Sequence, residues 1–157
     1  MKYLLLSLLL LSTTTFAQSF DANLLVGKWQ CFVQFDDTHL KGTERISVEY
    51  RNDGTYTTKN ILNTTIQNVD FGLKNPKSLM EITALGQWQI NKNIYSEART
   101  DMVHYFHSNQ ELEQLGEFEK KFAEDKEFEH NLIMKLSKTQ FHYQTELSEN
   151  IVKCKRV

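Results

Sequence analysis

Residues Leu24 to Cys31 read LLVGKWQC and set a glycine, a tryptophan and a cysteine at alternate positions. In an extended chain successive side chains point to opposite faces, so a period of two marks a half-buried strand. Trp29, Cys31, Val33 and Phe35 then share one face, while Lys28, Gln30 and Gln34 take the other; Phe32 breaks the pattern. What covers the apolar face is decided by the rest of the chain.

Upstream lies MKYLLLSLLLLSTTTFAQ, with one lysine, an apolar run through Leu11, then small and hydroxyl residues ending in Thr15-Phe16-Ala17. This is the layout of a secretory signal peptide cleaved after Ala17. The apolar run is shorter than the roughly 20 residues a membrane span needs. Residues 1–17 are therefore assigned to the signal peptide, and 18–157 to one exported domain without a membrane anchor. A periplasmic location is expected, with release outside the cell as the alternative. The remaining 140 residues suffice for a single core. Their formal charge is −3, because only Lys2 is lost from a total of −2, so no basic field attracts nucleic acid.

Both cysteines, Cys31 and Cys154, survive this processing. In an oxidising compartment the pair is read as a disulfide rather than as free thiols or half of a metal site. A ring of this size would stabilise by about 4–5 kcal/mol in the chain-entropy description. Opposed residues in an antiparallel pair have a constant sum of numbers. A Cys31–Cys154 bridge therefore makes the first and last strands neighbours, closes the sheet and sets Arg156 opposite Trp29. Stacking of that guanidinium on the indole is worth roughly 0.5–2 kcal/mol.

Alternation continues through Ile46, Val48 and Tyr50, then the turn Asn52-Asp53-Gly54, whose residues tolerate positive φ. A threonine-rich segment, Thr55 to Thr64, carries Tyr56, Thr58, Asn60 and Leu62 on one side. Ile82, Ala84, Gly86, Trp88 and Ile90 form the clearest alternation. Further strands are expected at Ile94–Ala98, Asn131–Leu136, Gln140–Leu147 and Ile151–Arg156. Between them, Ser108 to His130 follows a helical period through Leu112, Leu115, Phe118 and Phe122, with Ser108 and Glu111 as a capping box. This insert holds eight carboxylates against three lysines.

Eight short strands and one helical insert predict a mainly β fold: a single eight-stranded antiparallel up-and-down barrel with an acidic helical insert. Tight turns at Asn52–Gly54, Asn91–Asn93 and Ser137–Thr139 fall at one end. Asp36–Gly42, Thr65–Leu79, the insert and Ser148–Asn150 gather at the other, as in a cup.

Gly27-Lys28-Trp29 after Leu24-Leu25, the hairpin through Asn52-Asp53-Gly54-Thr55-Tyr56, the segment Gly86 to Ile90 and the closing Cys154-Lys155-Arg156 together resemble the small bacterial lipocalin-like domains of the calycin group. The resemblance implies a Gly-x-Trp motif on the first strand, with Gly27 and Trp29 as structural residues and Arg156 packed over the indole. It also implies an eight-stranded barrel. The chain departs from true lipocalins in placing its helical insert before the sixth strand. The fold by itself assigns no function.

Interior positions near the wide end are Phe35, Ile46, Leu62, Ile82, Leu132, Tyr143 and Leu147, with Asn60 deeper. Apolar walls with a hydroxyl and an amide suit a small hydrophobic or amphipathic molecule, and equally a barrel filled by its own side chains. The insert either packs on the barrel, covers its mouth, or meets a basic protein partner. His104 and His107 would face opposite ways on a strand, which argues against a shared metal, and the Asp36-Asp37-Thr38-His39 cluster reads as a turn. No nucleophile elbow, phosphate loop or zinc-hydrolase motif appears, so no catalytic residue and no cofactor are assigned. Two functions stand: an exported small-ligand-binding protein, and a periplasmic or secreted protein-interaction module such as a calycin-type inhibitor or accessory protein.

Overall fold

Gly27 starts the first strand at a φ of 128°, a conformation open to glycine, and a Cβ there would lie 2.3 Å from Nη1 of Arg156. The structure is a computed structural model that describes residues 19–36, 40–67, 77–146 and 150–157. The proposed signal peptide, Asp37, His39 and Leu147 lie outside the described residues.

From Gly27 the chain runs through β1 (Gly27–Asp36), β2 (Leu40–Tyr50), β3 (Thr55–Ile66), β4 (Lys77–Asn91) and β5 (Ile94–His107). Two short helices follow, α1 (Gln110–Gly116) and α2 (Phe118–Glu124), and then β6 (Glu129–Leu136), β7 (Gln140–Gln144) and β8 (Ile151–Arg156). Each strand pairs antiparallel with the next, and β8 returns to β1, so the sheet is a closed eight-stranded barrel. Among the described residues no helix is long and apolar enough to cross a membrane.

The seam between β1 and β8 has the register Trp29↔Arg156 and Cys31↔Cys154, and a disulfide joins the two cysteines. Arg156 lies 4.4 Å from the centroid of the Trp29 ring. Its guanidinium donates to the carbonyls of Lys138 and Val26 at 2.6 Å each, and to that of Leu24. Trp29 Nε1 donates to Leu25 O at 2.6 Å. Those bonds fasten the N-terminal segment, the β6–β7 turn and the last strand across one end of the barrel.

The main core lies at that end, where Leu25, Trp29, Tyr50, Trp88, Tyr95 and Phe141 pack together. Gly86 lets the Tyr56 ring pass across β4, since a Cβ would come within 2.3 Å of that ring. A second cluster, Met80, Ile82 and Ala84, packs against Phe118 and Phe122 of α2. The barrel therefore has a dense base and a separately covered mouth.

The helical insert differs from one continuous helix capped by Ser108. Glu117, at a φ of 48°, separates α1 from α2. Asn109 caps α1, its side chain accepting from Leu112 N at 3.2 Å, while Ser108 Oγ accepts from Leu79 N at 2.8 Å. The reason is that β5 runs nine residues past the expected Ala98, to His107, and takes Ser108 into the β4 edge.

Candidate functional site

Alternation on β2, β3 and β4 turns Ile46, Asn60 and Ile82 inward side by side, because Ile46 pairs with Asn60 and Asn60 with Ile82. Glu44, Leu62 and Met80 form the adjoining row. Inside these rows is a cavity of about 340 Å³. Of the interior positions assigned from sequence, Phe35, Ile46, Asn60, Leu62, Ile82 and Tyr143 line it.

Leu132 is the exception: it faces outward and is 38 % exposed. Ile133 pairs with Tyr143 and Lys135 with His142, so Met134 is an extra residue in β6. This bulge shifts the phase of alternation, so that Leu136 and Ile133 both point in although three positions separate them. Counting by twos from Leu136 reaches Leu132, whereas the chain buries Asn131 instead, at 1 % exposure.

Charged groups in the wall were not singled out by sequence. Glu44, Glu97, Arg99 and Glu129 line the cavity, and Asp125 and Glu127 border it beyond α2. The signal was present for two of them, since Glu44 falls in phase with Ile46, Val48 and Tyr50, and Glu97 in phase with Tyr95. A charged residue on the apolar phase of a strand is expensive unless it is paired or used.

Their bonding is partial. Tyr50 and Tyr95 hydroxyls are 2.7 Å apart, and the Tyr95 hydroxyl donates to Glu97 Oε2, so a phenol chain ends on that carboxylate. Asn60 Nδ2 donates to Glu44 Oε1 at 2.8 Å, and Thr58 Oγ1 donates to Asn60 Oδ1 at 2.5 Å. Arg99 Nη1 donates to Phe122 O at 2.7 Å, and its guanidinium sits 5.1 Å from the centroid of the Phe122 ring. Thus Arg99 ties the barrel wall to α2, and Phe122, Asp125 and Glu127 close over the cavity.

Burial pushes the Glu97 carboxyl up to about 7, with the Tyr95 hydrogen bond and Arg99 opposing, and Glu129 and Glu44 adding to the rise. Glu44 is raised chiefly by burial, and Glu129 by burial and then by Asp125. The hydroxyls of Tyr50, Tyr95 and Tyr143 are held well above the ordinary phenol range by burial first and the nearby Glu97 charge second. They remain neutral donors.

The two histidines weighed as metal ligands are separated: His104 is exposed, whereas His107 is buried with its ring stacked on Phe118 at 5.8 Å. Asp36 pairs with Lys41 at 2.8 Å. Among the described residues, no group of three or more His, Cys, Asp or Glu side chains is arranged to hold a metal ion. No protein-family model matches the chain, and no curated protein matches it.

Proposed function

We propose that the protein is an exported, lipocalin-like up-and-down barrel that binds a small amphipathic molecule in its interior without transforming it. The observation that carries this reading is the cavity of about 340 Å³, bounded by Phe35, Ile46, Ile82 and Tyr143 and covered by the acidic insert at Phe122. That volume lies at the low end of the range of about 300–1,000 Å³ typical of small-molecule sites. Aromatic and aliphatic walls take up apolar surface, and the few convergent polar groups fix orientation. A barrel packed solid by its own side chains would favour the interaction-module reading; the space under α2 favours the ligand.

Export is consistent with the Cys31–Cys154 disulfide, since such bonds persist outside reducing compartments. The test is native mass spectrometry of protein purified from its own host, together with titration of the neutral dye N-phenyl-1-naphthylamine. A bound mass or saturable one-to-one fluorescence enhancement is expected. Absence of both would overturn the reading.

A further inference from the structure

The composition of the cavity wall identifies a narrower ligand class, on the premise that the interior binds a small molecule. Five carboxylates border the space, those of Glu44, Glu97, Asp125, Glu127 and Glu129, against one guanidinium, Arg99. Arg99 is occupied by the Phe122 carbonyl and ring, which draws its charge to the cover. Tyr50, Tyr56 and Tyr143 contribute ring surface to the same wall. Carboxylates attract a cation directly, and aromatic faces attract it through their quadrupoles.

A separate feature, outside the carboxylate set, is a buried amide in β6. Asn131 stands opposite Tyr95 on the inward row of β6 that holds the cavity-lining Glu129, and it is 1 % exposed. Neither its Nδ2 nor its Oδ1 has a hydrogen-bond partner. An unsatisfied buried amide is costly and is rarely left so. Asn131 itself does not line the cavity, so the wall's charge and rings, not this amide, carry the ligand class.

We propose that the cavity takes a small amphipathic amine in its ammonium form, with the charged nitrogen among Glu44, Glu97 and Glu129 and the apolar part against the tyrosine and phenylalanine rings. A metal ion is a poorer fit, because the carboxylates are spread around the wall and do not converge as ligands. A carboxylate-bearing lipid would meet a wall of its own charge.

Isothermal titration calorimetry of the oxidised protein at pH 8 tests this with three probes of similar size: phenethylammonium, 2-phenylethanol and 3-phenylpropanoate. The ammonium is expected to bind at least tenfold more tightly than the alcohol, with the carboxylate weakest. Glu97→Gln is expected to lower the ratio of ammonium to alcohol affinity about tenfold. Glu129→Gln provides the same comparison if the first variant does not fold. Binding of the dye together with equal or tighter binding of the alcohol or carboxylate overturns the amine assignment and leaves the ligand-holding barrel standing. Failure of the dye and all three probes overturns both. A wild-type ratio in both glutamine variants also overturns the assignment.

Discussion

Glu97 shows what a carboxylate on the apolar phase of a strand does to the fold. Its carboxyl sits opposite Trp88 on one side and Glu129 on the other, accepts from Tyr95, and shares the interior with Glu44, Arg99, Tyr50, Tyr56 and Tyr143. Because burial raises its value from 4.5 to about 7, the folded state holds the proton more tightly than the unfolded chain. Stability therefore falls as pH rises from about 4.5 to about 7 and levels off above, a cost of order 3 kcal/mol. Glu44 and Glu129 shift in the same direction and add to the slope. Thermal melts of Glu97→Gln should lie roughly 6–12 °C above wild type at pH 8, with the gap closing toward pH 4. Parallel profiles would show that Glu97 is not buried as described. At this scale the sequence was legible where a residue has one geometric role. Reading Cys31 and Cys154 as a disulfide sets the register that places Arg156 opposite Trp29. Glu97 was overlooked because a carboxylate on an apolar phase reads as a surface residue until its neighbours are known.

Among the elements, the cover of the barrel is its most divided part. Helices α1 and α2 are seven residues each, too short to persist without tertiary contacts. Leu112, Phe118 and Phe122 supply those contacts, and Glu117 makes the corner between the helices in a left-handed conformation. A non-glycine residue there costs about 1 kcal/mol. Glu117→Gly should therefore raise stability by roughly 0.5–1 kcal/mol, read from chemical denaturation, with dye binding retained. A loss of stability would place the corner elsewhere. The helical period from Leu112 to Phe122 was readable as a hydrophobic pattern. The break at Glu117 was not, because a left-handed corner carries no distinctive residue when glycine stands one place earlier, at Gly116. The β6 bulge is a similar case: Met134 looks like any strand residue, and only the pairing of Ile133 and Lys135 with β7 reveals the phase change that exposes Leu132.

At the scale of the whole molecule, closure and emptiness have different origins. Closure follows from two cysteines 123 residues apart in strands that alternate in phase, and this much was written in the order of the residues. Emptiness depends on how far side chains from all eight strands reach inward and on where Phe122 comes to rest. It became visible only with the side chains in place. The central claim is that a small molecule occupies this interior. It is tested most directly by nuclear Overhauser spectroscopy between bound N-phenyl-1-naphthylamine and the ring protons of the protein. Contacts to Tyr50, Tyr56, Tyr143 and Phe122 are expected; contacts confined to the exposed Val103 and Phe106, or none to the interior tyrosines, would contradict it.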